Sequence, residues 1–391
     1  MGRNRKLKHD KMVKPIIFNP EIEKINIETI KRKLKIETII DTYRQQLEEL
    51  FLIRNPFYKF HKNSQKYQKE FKVFISEHSE GKKLENCGRW IYFPWSRILV
   101  HCLQEELYLE LRTSRNRNLI TGEEQKNFYE ANIAIAGLSV GSNAAITIAL
   151  MGGGKKMKLA DPDILMPSNL NRMRFDLTNI GMNKAELVAQ YIYQVNPYAE
   201  LCIYSGGLNK KSIPEFLKDV DILIEEIDDI EMKIELRKEA RKRKIPVIMA
   251  TDNADNVFVD IERFDLNPRQ PILYGKLEDL NIKEVKRSPK KLFETMSKII
   301  DMDLVPSRMT ESVLEVGRKL YSWPQLATAA SLSGAVIAYI VRKIILKERI
   351  RDGRIEINLD ATFSYPEDYK KELKKRKELN KKFFSILEKM L

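Results

Sequence analysis

Apolar positions along this chain change their spacing twice. From Ile25 to Leu52 they recur at helical intervals, followed by a Tyr/Phe/Lys segment and the aromatic run Trp90-Ile91-Tyr92-Phe93-Pro94-Trp95. From Arg112 to about Asp265 short apolar runs alternate with helix-compatible stretches. Ile133-Ala134-Ile135-Ala136 stops at Gly137-Leu138-Ser139-Val140-Gly141-Ser142-Asn143, a helical run from Ala144 to Met151 follows, and Lys156 to Ala160 reads as a second strand. Such alternation predicts an α/β fold with a doubly wound, mostly parallel sheet, preceded by a largely helical extension. Beyond Leu266 the pattern is mixed: a Lys-rich stretch from Lys276 to Lys291, a small-residue helix near Pro324 to Lys347, and a basic helical tail. The longest apolar run, Leu326 to Val341, contains Ser331 and Ser333 and falls short of the roughly 20 residues a membrane span needs, so it predicts a buried helix. The expected division is a basic tail over 1–19, a helical and aromatic extension over 20–111, an α/β domain over 112–365 with its clearest pattern in 112–265, and a basic helix over 366–391.

The break at Gly137 to Asn143 carries the first chemical signal. A strand, a tight turn and a helix N-terminus point backbone N–H groups at an anion. Asp161 closes the second strand roughly 20 residues beyond Gly141, where an acidic side chain meets a ribose hydroxyl in dinucleotide folds. After it come Asp161-Pro162-Asp163, Asn169-Leu170-Asn171-Arg172 and Gly181-Met182-Asn183-Lys184-Ala185, then Asp221-Ile222-Leu223-Ile224-Glu225-Glu226-Ile227-Asp228-Asp229 and Lys244-Ile245-Pro246-Val247-Ile248-Met249-Ala250. A guanidinium can fork onto phosphate oxygens, an ammonium places a point charge on them, and a strand-end carboxylate can hold Mg²⁺ together with phosphate oxygens and water. Glu226 and Asp229 flank Asp228, so any of the three could meet the metal.

In this order the segments resemble the ThiF/MoeB family of adenylating enzymes, relatives of the ubiquitin-activating enzymes, whose pattern is D-x-D-x(5)-N-L-x-R followed by G-x-x-K-A and a strand-end D-x-x-D-N. Arg115-Asn116-Arg117-Asn118-Leu119-Ile120 resembles the R-x-x-R-Q-I segment that precedes the family's first strand. The resemblance implies a Rossmann-like fold of ThiF type and an ATP- and Mg²⁺-dependent activation of a carboxylate, peptide or small molecule, as an acyl-adenylate. It implies that Gly137, Ser139 and Gly141 cradle nucleotide, that Asp161 holds ribose, and that Asn169, Arg172 and Lys184 hold the phosphates. Asp228 would hold Mg²⁺. Arg117 would match the arginine that family members lend to the partner subunit, which implies a homodimer.

The sequence also departs from the pattern. Ala136 and Leu138 stand where glycines let backbone approach phosphate, Met173 replaces a glutamine, and Ile227-Asp228-Asp229 replaces Thr-Asp-Asn. A bacterial subgroup, sometimes fused to a nitroreductase-like module, is more similar in its G-L-S-V-G turn and R-N-R segment. Two other readings remain. A nicotinamide-dependent oxidoreductase could use the same turn, but the four histidines, His9, His61, His78 and His101, all precede it. A scaffold that binds nucleotide without turnover would explain Leu138 and Met173.

Cysteine usage and charge narrow the picture. Cys87 and Cys102 precede the turn and Cys202 precedes Asp228, so no thiol lies in the crossover region where thioester-forming relatives carry one. No paired C-x-x-C suggests structural zinc, and three scattered cysteines fit a reducing cytoplasm. Met1 to Lys14 is polar and basic, unlike a secretion signal. Of the net charge of +14 carried by 391 residues, nine units lie in 1–16 and 366–391, which read as solvated tails or helix faces. No nucleic-acid-binding module is recognisable. The 43% hydrophobic content is enough for a sizeable core.

Overall fold

The computed structural model describes residues 13–23, 27–277, 280 and 282–390; most of the expected basic tail, residues 1–12, and Leu391 lie outside the described residues. The chain forms two compact units, one reaching to Lys126 and taking in Ala189–Ala199, the other comprising Asn127–Val188 and Glu200–Leu391.

The first unit is helical, as its spacing predicts, but is built on a small sheet that the pattern did not reveal. Strands β1 (Ile16–Phe18), β2 (Thr38–Asp41), β3 (Arg89–Phe93) and β4 (Ile98–Cys102) pair in the order β1-β3-β4-β2. The expected helical stretch from Ile25 to Leu52 is divided, because the β-branched run Thr38-Ile39-Ile40 pairs in parallel with β4. Helices α1 (Pro20–Glu23), α2 (Ile27–Leu34), α3 (Tyr43–Arg54), α4 (Gln65–Ser79) and α5 (Glu105–Arg112) complete it. The aromatic segment is core: the His101 ring lies between Tyr43 and Trp90 at centroid distances of 4.1 and 4.2 Å. His101 Nδ1 meets Asp41 Oδ1 and Nε2 meets the Cys87 carbonyl, both at 2.9 Å.

Seven strands make the sheet of the second unit: β5 (Asn132–Ala136), β6 (Lys156–Ala160), β7 (Glu200–Tyr204), β8 (Ile222–Glu225), β9 (Val247–Asn253), β10 (Asn256–Glu262) and β11 (Gly353–Ile357). Their order is β11-β10-β9-β8-β5-β6-β7; β5 to β9 run parallel, and β10 and β11 are antiparallel additions. The expected doubly wound sheet is therefore present, with its direction of growth reversing between β5 and β8. In open α/β sheets that reversal opens a crevice at the carboxyl ends of the strands. Both faces are covered, which is why β5 is a continuous apolar run with Ile133, Ala134, Ile135 and Ala136 all buried.

The chain enters this unit through α6 (Gly122–Glu130) and continues with α7 (Val140–Leu150), α8 (Lys184–Val195), α9 (Ile213–Phe216) and α10 (Ile230–Lys242). Helices α11 (Ile282–Arg287), α12 (Pro289–Ile300), α13 (Ser307–Val313), α14 (Ala327–Ile345), α15 (Leu359–Phe363) and α16 (Pro366–Met390) follow. Leu236 and Ala240 of α10 pack with Leu223, Ala134 and Ala136 on one sheet face. On the other face α7 lies over Ile135 and is itself covered by α14. The basic tail is a docked helix: Arg376 Nη1 donates to the Leu304 carbonyl at 3.1 Å, and Glu372 accepts from Ser307 N at 2.7 Å.

The small-residue run is helix α14, which by length and composition could cross a membrane, but half of its apolar stretch is buried. Its approach to α7 depends on Gly334, where a Cβ would stand 2.6 Å from Asn143 Cβ and 2.7 Å from the Asn143 carbonyl carbon. Gly334→Val should therefore lower the unfolding free energy by about 1–3 kcal/mol, read from urea denaturation midpoints at an unchanged slope.

Candidate functional site

The carboxyl ends of β5, β6, β8 and β9 meet around the turn after β5. Gly137 has a φ of +88°, and a Cβ there would collide with the Glu226 carbonyl at 2.3 Å, so the position requires glycine. Leu138 N then donates to Asp161 Oδ2 at 2.7 Å, while Asp163 N donates to Asp161 Oδ1 at 2.8 Å. One carboxylate thus pins the turn to the chain leaving β6. Burial pushes the Asp161 carboxyl up, against the opposing pull of Lys184 and the two backbone N–H groups.

Leu138, in a position where relatives have glycine, is fully buried. Its Cδ2 packs toward the start of α7, 3.8 Å from where a Cβ on Gly141 would stand. Ser139 is the N-cap residue of α7 but makes no side-chain cap hydrogen bond, and its buried hydroxyl has no partner. Gly141 lies inside the first turn of α7, against Ile135.

The next segment folds as short turns. Asn169 Oδ1 accepts from Met166 N at 2.9 Å, and the Asn169 carbonyl accepts from Arg172 N at 3.1 Å, so Asn169 shapes the bend that presents the arginine. Met173, where the pattern has glutamine, is buried with Leu165 and Leu187. Arg172 donates through Nη1 to Asn171 Oδ1 at 2.8 Å and to the Ser168 carbonyl at 3.2 Å, whereas its buried Nε has no partner. Burial pulls the Arg172 guanidinium down, and the carboxylates of Asp252 and Asp228 oppose that pull. Lys184 is buried and holds Asp163 Oδ2 at 2.9 Å.

The three neighbouring acids after β8 separate by environment. Glu226 Oε1 accepts from Ala250 N at 2.7 Å, and burial pushes its carboxyl well above the ordinary range. Asp229 caps α10 by accepting from Met232 N at 2.8 Å. Asp228 is exposed and makes no hydrogen bond or ion pair among the described residues. Among the described residues no group of three or more His, Cys, Asp or Glu is positioned to hold a metal ion.

Arg117 belongs to the first unit, where its side chain, 51% exposed, pairs with Glu110 at 2.9 Å. The other expected residues lie in the second unit: Gly137, Ser139, Gly141, Asp161 and Lys184 gather at the ends of β5 and β6, and the Asp228 carboxylate acts on Arg172 electrostatically without pairing with it.

Three contributors were missed in the sequence. Asn143, buried in α7, donates to the Arg172 carbonyl at 3.3 Å. Asn183 Nδ2 reaches the carbonyls of Asp161, Asp163 and Ser205 at 3.0 to 3.1 Å while its Oδ1 caps α8. Asp252, near the end of β9, accepts from Ser333 Oγ at 2.9 Å and leaves a buried Oδ2 without a partner. Polar residues interrupting apolar runs, Asn143 before Ala144 and Asp252 after Ala250, were the available signal.

A doubly wound sheet with an uncapped helix N-terminus, a pinned glycine turn and cations at its switch point defines an α/β fold of nucleotide-binding type. Residues 113–257 match the ThiF family profile, and the chain carries a ThiF family domain. It is 37% identical over 279 residues to an uncharacterized protein of Mycobacterium tuberculosis, covering 71% of this chain and 39% of that protein. The chain therefore spans about two fifths of the length of that relative. A tRNA threonylcarbamoyladenosine dehydratase of Bacillus subtilis is 29% identical over 180 residues, 44% of this chain and 70% of that one. A molybdopterin-synthase adenylyltransferase of Haemophilus influenzae is 26% identical over 143 residues, 36% of this chain and 58% of that one.

Asp252 gives the site a pH signature. Burial, opposed by Ser333 and Arg172, pushes its carboxyl from 3.8 up to about 6. The folded state therefore binds that proton more tightly than the unfolded chain, and the resulting stabilisation is complete below about pH 4 and lost as pH rises past about 6. Asp252→Asn should gain about 1–3 kcal/mol on the native protein between pH 4 and pH 8. Urea unfolding of both at pH 4, 6 and 8 measures it; parallel stability curves would refute it.

Proposed function

We propose that this chain is an ATP- and Mg²⁺-dependent adenylyltransferase that activates a carboxylate as an acyl-adenylate. The observation that carries the reading is Arg172, whose guanidinium lies in the field of the Asp252 and Asp228 carboxylates and whose buried Nε no protein group satisfies. The unpartnered Ser139 hydroxyl and uncapped α7 N-terminus fit a phosphate ligand in the same way. The ThiF domain and the adenylyltransferase named among the relatives support it.

In this reading a substrate carboxylate oxygen bonds to the α-phosphorus of ATP, the bond to the bridging oxygen of the β-phosphate breaks, and pyrophosphate leaves. Two anions must be brought together, so the protein supplies positioning and positive charge. The turn from Gly137 to Gly141 offers N–H groups to phosphate. Asp161 holds that turn and has oxygen lone pairs left for ribose hydroxyls. Asn169 shapes the bend, and Arg172 and Lys184 supply charge to the phosphates. Mg²⁺ would sit at Asp228, the one acid of its run free of a structural duty, and neutralise phosphate charge there.

The buried thiols of Cys87 and Cys102 are pushed up by burial, Cys102 to about 12, so neither is a ready thiolate. The exposed Cys202 lies on β7, ahead of Asp228 in the chain, so in this reading the activated acyl group passes to another protein or a small nucleophile. A homodimer in which Arg117 reaches the other copy's triphosphate, and a cytoplasmic location, complete the proposal.

ATP–pyrophosphate exchange with candidate acids tests it. Arg172→Ala and Asp228→Asn should each lower the exchange rate by roughly 10²-fold or more, since each removes charge stabilisation where negative charge develops. Unaltered exchange in both, or no binding of ATP beside tight binding of NADH, would reject the assignment.

A further inference from the structure

A cavity of about 50 Å³ has Asp252 in its wall and is used by none of the chemistry above. Met296, Ile300, Met309 and Val313 line it, with Trp323 at 39% exposure and Asp252 in its wall. Asp252 belongs at once to this wall and to the surroundings of the Arg172 guanidinium. The chain near Trp323 is also tied to the arginine's turn, because Asn171 Nδ2 donates to the Gln325 carbonyl at 2.7 Å.

We propose that this cavity seats the apolar side chain of the carboxylate substrate, an amino acid or the last residue of a peptide, with Asp252 Oδ2 accepting the N–H on its α-carbon. The proposal rests on the adenylation reading and supplies its substrate class. Volume fits: one water-sized group needs roughly 10–15 Å³ on this measure, so the space takes a few heavy atoms, the size of a branched aliphatic side chain. Chemistry fits as well. Methionines line it with flexible, polarizable surface that adapts to an apolar guest. The unpartnered Asp252 oxygen is the one buried polar side-chain atom of the wall left without a hydrogen bond among the described residues. Thr251 and Asn253 also line it, and the Asn253 amide is already spent on the Leu304 carbonyl at 3.0 Å. An acidic side chain in this cavity would lose its water among mostly apolar walls and face the like-charged Asp252 carboxylate, so acidic substrates are disfavoured.

Calorimetry on the full chain tests this with three probes: N-acetyl-L-leucine, N-acetyl-L-aspartate and a hexapeptide ending in Leu. The leucine probes should bind at least about 10-fold more tightly than the aspartate probe. Met309→Trp and Val313→Phe, which fill the cavity, should each abolish that preference while ATP affinity, read by fluorescence titration, is kept. If the hexapeptide alone binds, the source is a peptide; if the free acid suffices, it is a small molecule, and either supports the cavity. Equal binding of leucine and aspartate probes, no binding of any, or a preference that survives both folded variants would overturn it. Exchange is measured in parallel: selective binding without exchange defeats the activation reading and leaves the cavity standing, whereas exchange indifferent to side chain does the reverse.

Discussion

The carboxylate of Glu225, wholly buried at the end of β8, is the constraint on which the acidic edge of the site depends. Lys233 Nζ holds its two oxygens at 3.1 and 2.9 Å, and Arg237 reaches one of them while its Nε holds Glu262 at 2.6 Å. Burial alone would push Glu225 up, but Lys233 and Arg237 outweigh it and hold the carboxyl below its usual range. Removing one member of such a set leaves an uncompensated buried charge, at a cost of about 3–5 kcal/mol. The network joins β8, α10 and β10, and Ile227 N donates to Glu225 at 2.8 Å, so the backbone that carries Glu226, Asp228 and Asp229 leaves the sheet in one direction. Glu262 in turn accepts from Leu273 N at 2.7 Å, fixing the chain that leads toward α12.

On the opposite side of the switch point Asp161 does comparable work with backbone instead of cations. Among the residues of this site the structure leaves Ser139 Oγ, Asn143 Oδ1, Arg172 Nε and Asp252 Oδ2 buried and unmatched. Each unmatched polar group costs about 1–3 kcal/mol. Four of them on residues at the carboxyl end of one sheet describe a surface shaped for something that completes it.

What the sequence disclosed follows from where the signal is local. The strand, glycine turn and helix from Ile133 to Met151 were legible because their residues are contiguous and each obeys its own steric rule. The separation of Asp228 from Glu226 and Asp229 was not, since it depends on which acid caps α10 and which meets Ala250 across the sheet. Lys233 and Arg237 were hidden because cations on a helix read as solvated, although they share the buried stripe of Ile230 and Ile234. The small sheet of the first unit was missed because Thr38 to Asp41 is exposed along its whole length and shows no alternation. Asp252 was overlooked because its partners, Ser333 and Arg172, lie about 80 residues away on either side.

Two carboxylates of unlike environment act on Arg172, and that contrast divides the roles proposed for them. Asp228 is exposed, so a hydrated divalent cation can reach it without first being stripped of water, as Mg²⁺ requires. Asp252 is half-buried, with one oxygen committed to Ser333, and its carboxyl resists ionisation up to about pH 6. It is poorly placed to compete for the cation and well placed to meet a neutral donor. In the proposed reaction a guanidinium in the field of both would face phosphate on the side of Asp228 and the acid on the side of Asp252. The two proposed reactants would then meet Arg172 without sharing a ligand, as a reaction joining two anions demands.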